Sequence, residues 1–134
     1  MNIEEIVDNF SLFDDWEDRY RYLIDLGGRL PTMAESLKTD SNKVRGCMSQ
    51  VWMVLSWDKE NRLCLQADSD AQIVKGLIAV LFAIFAGKTA AEIETVNIDQ
   101  VFGKLGLDQH LSPNRRNGFY AMVERIRSFT ARCK

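Results

Sequence analysis

Cys47 is the residue of this sequence whose surroundings best suit nucleophilic chemistry. The chain holds three cysteines, none close to another: Cys47, Cys64 and Cys133. Cys47 follows Gly46 in a polar stretch, with Lys43 and Arg45 nearby in sequence. Cationic neighbours lower the pKa of a thiol from about 8.5 and increase its thiolate fraction, and a glycine permits close approach of another molecule. An inert cysteine beside a strand is the competing interpretation, and the residues alone leave both open.

The other potentially reactive side chains suit ordinary structural roles. Cys64 is expected to be a packing residue in a strand, and Cys133 an incidental thiol next to the C-terminus. His110 is the only histidine, and its spacing to the cysteines matches no metal-binding motif. Asp68 and Asp70 precede a helical segment, so we expect them to cap that helix rather than act as paired catalytic carboxylates. No metal site is therefore predicted.

Composition and charge indicate one globular domain in a reducing compartment. The 134 residues suit a single domain spanning 1–134, and the net charge of −2 does not favour nucleic acid. The N-terminal MNIEEIVDNF is acidic and lacks the apolar core of a signal peptide. The longest apolar run, from Gly76 to Gly87, is too short to span a bilayer. We therefore expect a cytoplasmic protein with free thiols that binds neither membrane nor nucleic acid.

The hydrophobic periodicity changes near residue 51 and predicts a β-hairpin. Residues 51–57, VWMVLSW, alternate between two faces, as a strand does. The polar residues 58–61 separate this run from a second one within 62–67, so two antiparallel strands are expected. The polar stretch 32–50, which carries Cys47, is expected to be a loop.

Helical patterns fill most of the remaining chain. The first thirty residues have helical spacing, and the nearly uncharged segment 71–86 predicts a buried central helix. Thr89 and Glu92 have the spacing of a capping box. Ser112 and Pro113 suit the N-cap and first turn of a last helix. The predicted fold class is α+β, with a small antiparallel sheet and helices packed on one face.

Several blocks of the sequence resemble the signature blocks of the SufE family. They are GCMSQVW (46–52), DSDAQIVKGLIAVL (68–81) and LDQHLSPNRRNG (107–118), preceded by WEDRY (16–20) and LIDLGGRLP (23–31). Their order and spacing agree with the family over nearly the whole chain. The related CsdE branch shares this outline, but the SQVW and QHLSP stretches are more similar to SufE. The resemblance implies the fold that SufE shares with IscU-type scaffolds.

The resemblance implies a sulfur carrier rather than a stand-alone enzyme. The family's acceptor cysteine lies in a glycine-cysteine loop and falls on Cys47. Cys47 would take sulfane sulfur from the persulfide of a SufS-type cysteine desulfurase, and the chain would stimulate that enzyme. Pyridoxal phosphate belongs to the desulfurase, so no cofactor is expected on this chain. The sulfur would pass to a downstream SufBCD-type iron–sulfur cluster scaffold.

Residues near Cys47 and at the start of the last helix are implied to support the transfer. Arg115 and Asp70 match an arginine and an acidic position of the family, whereas Met48 and the Arg115-Arg116 pair depart from its pattern. We expect a docking surface for the desulfurase formed by Lys43, Arg45, Arg115 and Arg116, with Gly46 and Asp70 in support. We also expect the thiol of Cys47 to rest against apolar neighbours until the desulfurase binds.

Two other functions remain open from the sequence. An IscU-like scaffold would assemble a cluster on its own cysteines. A regulatory desulfurase-binding module would leave Cys47 structural. The sequence also leaves open whether the chain forms a homodimer.

Overall fold

A computed structural model of the chain describes residues 2–46 and 49–132. The first helices, α1 and α2, span Ile3–Ser11 and Trp16–Gly28, and two 3-10 turns follow at Glu35–Leu37 and Asp40–Asn42. The strands β1 and β2 span Val51–Trp57 and Leu63–Ser69. The later helices are α3 (Gln72–Phe85), α4 (Ala90–Glu94), α5 (Ile98–Lys104), α6 (Leu107–His110) and α7 (Pro113–Arg132). The predicted α+β fold class is confirmed.

The two strands form the predicted antiparallel hairpin, with Val51 opposite Ser69 and Trp57 opposite Leu63. Its inner face is buried under the helices, and the fully or nearly buried side chains are Val51, Met53, Leu63, Leu65 and Ala67. The other face meets solvent, and Cys64 points to it. The expectation that Cys64 packs in the interior is therefore wrong, because its thiol is exposed.

Helix α3 is the buried central helix that the uncharged segment predicted. Its buried side chains include Leu77, Ile78, Leu81 and Phe85. It lies very close to α2, since a Cβ atom added to Gly27 would come within 2.6 Å of the backbone nitrogen of Gly76. Only glycine leaves room for this approach of the two backbones. The packing of α2 on α3 thus depends on both glycines.

The last helix, α7, begins as predicted, with Pro113 as its first residue and the Ser112 hydroxyl accepting a hydrogen bond from the Arg115 N–H (3.3 Å). Its inward stripe is fully buried and comprises Phe119, Met122, Val123 and Ile126. The capping box of α4 is also confirmed, because both hydrogen bonds between Thr89 and Glu92 are present. In the described part of the chain, none of the helices is long and apolar enough to cross a membrane.

Candidate functional site

Backbone pairing with β1 holds the segment that precedes Cys47 in the chain, which is called the entering side of the loop; the segment that follows Cys47 is its leaving side. Cys47 and Met48 themselves lie outside the described residues. The Val44 N–H donates to the Val51 carbonyl (2.8 Å), and Lys43 forms an isolated antiparallel bridge with Trp52. The chain between 45 and 50, which was predicted to be a loop, therefore connects two segments that pair with each other, 43–44 and 51–52. Gly46 lies in this loop with a φ of 89°, a conformation that favours glycine.

The leaving side of the loop is held by the end of β2. The Gln50 N–H donates to the Asp70 carboxylate (3.0 Å), and the Asp70 N–H donates to the Gln50 carbonyl (3.3 Å). The Ser69 hydroxyl donates to the same carbonyl (2.7 Å). The expectation that Asp68 and Asp70 cap α3 is wrong: the N-cap position is Ala71, without a side-chain cap. Asp70 instead fixes the residue at which the loop rejoins β1.

Helix α7 contacts the same loop region at three levels. The Arg115 guanidinium donates to the Ser49 hydroxyl (2.9 Å). One turn and a half further on, Ala121 lies against Gly46, where an added Cβ atom would be 3.4 Å from the Ala121 Cβ atom. Arg125 then donates to the Lys43 carbonyl (3.0 Å) and to a second carbonyl, at residue 41 (3.1 Å).

Arg125 is a site residue that the sequence analysis missed. Its two hydrogen bonds hold the segment that pairs with β1 and so define where the loop begins. A signal was present, because Arg125 directly precedes Ile126 and follows Met122 by three positions, which places it beside the buried stripe. A half-buried arginine in that position needs polar partners, and loop carbonyls supply them.

A pocket of about 260 Å³ opens beside Ser49. Its apolar lining consists of Val74, Leu77, Phe119 and Met122, and polar groups of Ser49, Ser112, Asn114 and Arg115 also line it. The apolar lining suits a soft, weakly hydrated atom such as sulfur. Ser49, at the edge of this pocket, follows Cys47 by two positions in the sequence.

The cations expected to dock a partner are only partly brought together. Lys43, Arg45 and Arg115 flank the loop, and the Arg45 side chain is exposed. Arg116 is engaged elsewhere, because its guanidinium donates to the Asp108 carbonyl (3.2 Å) in α6. Of the four predicted cations, only Arg115 has an observed side-chain contact with the described residues of the loop.

An ion-pair cluster supports the solvent face of the hairpin next to this site. Asp68 lies between Lys38 (3.1 Å) and Lys75 (3.4 Å), and the Lys38 ammonium also lies 5.6 Å from the Trp52 ring centroid. Hydrogen bonds to Glu35 and Asp68 raise the pKa of Lys38. Partial burial works to raise the pKa of Asp68, but the Ser69 N–H and the two lysines outweigh it and lower the pKa.

Metal-ligating side chains do not converge within the described ranges. No three or more His, Cys, Asp or Glu side chains in residues 2–46 and 49–132 are grouped so that they could hold a metal ion. His110 stacks its ring on Trp16, with the ring centroids 4.0 Å apart. Cys47 and Cys133 are not among these residues.

Comparisons with known proteins agree on one family. The family model described as "SufE: Fe-S metabolism associated domain" matches residues 4–130. An uncharacterized SufE-like protein of Rhizobium meliloti is 48% identical over 130 residues, which cover 95% of this chain and 93% of that protein. An uncharacterized SufE-like protein of Rhizobium etli is 49% identical over 129 residues, covering 94% of this chain and 87% of that protein.

A solved structure has the same fold. The solution structure of a hypothetical protein from Thermus thermophilus has a TM-score of 0.77 and covers 97% of this chain and 93% of that one. At 17% sequence identity, this likeness shows the fold alone.

Proposed function

Since the chain belongs to the SufE family, whose domain is associated with iron–sulfur metabolism, we propose that it carries sulfur on Cys47. Cys47 receives sulfur from the persulfide of a SufS-type cysteine desulfurase, and the chain stimulates that enzyme and releases the sulfur to a cluster scaffold of the SufBCD type. The observation that carries the proposal is the loop 45–50, which is clamped at both ends beside an apolar-lined pocket.

The transfer is an exchange at divalent sulfur. The Cys47 thiolate attacks the outer sulfur of the donor persulfide and forms a new S–S bond with its own electron pair. The bond between that outer sulfur and the donor cysteine breaks, and the donor leaves as a thiolate. One sulfur atom moves, the numbers of thiolates and S–S bonds are unchanged, and no external oxidant or reductant is required.

The loop suits an acceptor that must both shelter a persulfide and present it. The pocket beside Ser49 offers an apolar surface against which a bound sulfur is protected from thiols in solution. The contacts that hold the leaving side, from Asp70 and Arg115, are polar and lie at the surface or only partly buried. Such contacts contribute about 1 kcal/mol each, so binding of a partner can release them.

Three cations beside the loop support docking on an acidic rim of a desulfurase. Lys43 and Arg45 adjoin the loop in the chain, and the Arg115 guanidinium contacts it at Ser49. Charges at the rim of an interface mainly increase the association rate and make it dependent on salt. We therefore assign them to docking and not to the chemical step.

Intact-mass analysis tests the proposal directly. The protein is incubated with the desulfurase and free cysteine, and one transferred sulfur adds about 32 Da to the peptide that contains Cys47. Cys47→Ser should abolish the gain. Cys64→Ser is the matched control, because Cys64 is an exposed thiol outside the loop. Addition to Cys64 or Cys133 in place of Cys47 would contradict the proposal.

The two competing functions give different results with the same proteins. An IscU-like scaffold would form a stable visible chromophore on anaerobic reconstitution with iron and sulfide. If the chain were a regulatory module, its Cys47→Ser variant would still stimulate the desulfurase fully. A sulfur carrier forms no stable chromophore, and its Cys47→Ser variant loses stimulation.

A further inference from the structure

A second groove, of about 550 Å³, lies between the C-terminal half of α7 and the edge of β1 that does not pair with β2. Its apolar lining includes Met53, Leu55 and Phe129, and the Phe129 ring stacks on Trp57 with the centroids 5.5 Å apart. Residues 41 and 42 form one end of it. The groove shares Arg125 and residue 41 with the site described above, but it has no lining residue in common with the pocket beside Ser49.

The backbone of β1 is open for pairing in this groove. Because the Val44 N–H donates to the Val51 carbonyl, Val51 directs its polar backbone groups away from β2. Alternate residues of an antiparallel strand direct these groups to the same side. Leu55, four residues later, therefore also directs its N–H and carbonyl outward. Within the described ranges, none of the backbone hydrogen bonds outside the helices and the β1–β2 pairing involves these two groups of Leu55.

Two arginines give the groove a positive charge. Arg125 and Arg132 both line it from α7, and their separation of seven residues places them on one helix face. Arg125 is bonded to two neutral carbonyls. Neither arginine forms an ion pair with a carboxylate of the described residues, and the groove lining contains no acidic side chain. The charge of the groove is therefore complementary to an acidic ligand.

We propose that this groove binds an extended acidic segment of a protein partner, which adds to β1 as a short strand at Leu55. Strand addition derives affinity from main-chain hydrogen bonds and specificity from the pockets for alternate side chains. Carboxylates of the segment form charge-assisted hydrogen bonds with Arg125 and Arg132. Apolar side chains between them pack on Phe129. The surface does not include Cys47, so the proposal is independent of sulfur transfer.

The test uses the isotopically labelled full chain and two synthetic hexapeptides, one alternating glutamate with valine and the other lysine with valine. We expect the glutamate peptide to shift the NMR amide signal of Leu55 and its neighbours, and binding to weaken as salt is raised. Arg132→Gln should weaken binding about threefold to fivefold, as for an exposed ion pair. Arg127→Gln is the matched control, because Arg127 lies on the same helix outside the groove and pairs with Glu124.

An added negative charge in the groove gives a second, independent variant. Ser128 is exposed on α7 and lines the groove, so Ser128→Asp should fold normally, weaken the glutamate peptide and strengthen the lysine peptide. An unshifted Leu55 amide at saturating glutamate peptide would overturn the proposal, as would equal binding of both peptides to the parent chain. Cys47→Ser should bind the peptide unchanged, which separates this result from the outcome of the sulfur-transfer experiment.

Discussion

Removing the carboxylate of Asp70 should make Cys47 react faster with a small alkylating agent. The carboxylate accepts the Gln50 N–H at 3.0 Å and holds the residue at which the loop rejoins β1. A hydrogen bond to a charged group in an exposed position contributes about 1 kcal/mol. Its loss in Asp70→Ala should increase the population of the open loop, and hence the alkylation rate, about fivefold.

The rate of iodoacetamide alkylation, followed by mass spectrometry, measures this effect. Loss of a carboxylate also favours a neighbouring thiolate, so the rate is followed upward in pH until it no longer rises, and the plateau rates are compared. Asp14→Ala is the control, since it removes the same charge from an exposed position outside the loop contacts. An unchanged plateau in Asp70→Ala would refute the view that this hydrogen bond limits access to Cys47.

Three further predictions concern stability, pH and docking. Gly76→Ala should cost about 2 kcal/mol or more of unfolding free energy in denaturant titrations, because the new methyl group meets the backbone of α2; Gly28→Ala, where an added Cβ atom has no close neighbour, should not. The fold lowers the pKa of Asp68, so the ionised carboxylate paired with Lys38 stabilises the folded state above the unfolded pKa, and this stabilisation is lost as the pH falls. Between about pH 5 and pH 2, the melting temperature of Asp68→Asn should therefore fall less than that of the parent chain. Arg115→Ala should weaken desulfurase stimulation, most at low salt, with an unchanged circular dichroism spectrum.

Helices and strands with a local sequence pattern could be predicted, whereas features that depend on contacts between distant residues could not. The change of period at residue 51 defines the hairpin, because a strand with one buried face must alternate. The end of β2 extends to Ser69, beyond the predicted residue 67, because the Ser69 hydroxyl is bonded to Gln50 across the hairpin. The short helix α6 was not predicted: it begins after Gly106, whose φ of 71° is a backbone feature that no hydrophobic pattern reports.

The same distinction applies to the candidate site. Gly46 and Arg115 were predicted as site residues, and the structure places both around the loop 45–50. Asp70 was also predicted as a site residue, and as a possible helix cap. In the structure it accepts a hydrogen bond from Gln50, 20 residues earlier in the chain, and caps no helix. The exposure of Cys64 could have been predicted from alternation, since Cys64 shares a strand face with the polar Gln66, opposite the apolar Leu63 and Leu65.

Helix α7 serves the core and the site with different sides of one rigid element. Its inward stripe, which includes Phe119 and Ile126, is fully buried, so the position of the helix is fixed by core packing. Because Arg115 and Arg125 project from this helix, the core packing also fixes where they contact the loop segments. Arg125 thus ties the entering segment to α7 and Arg115 ties the leaving side to it, while the buried Ser69 and the exposed Asp70 hold Gln50. The core packing of α7 therefore sets the position of both ends of the loop, next to the pocket beside Ser49.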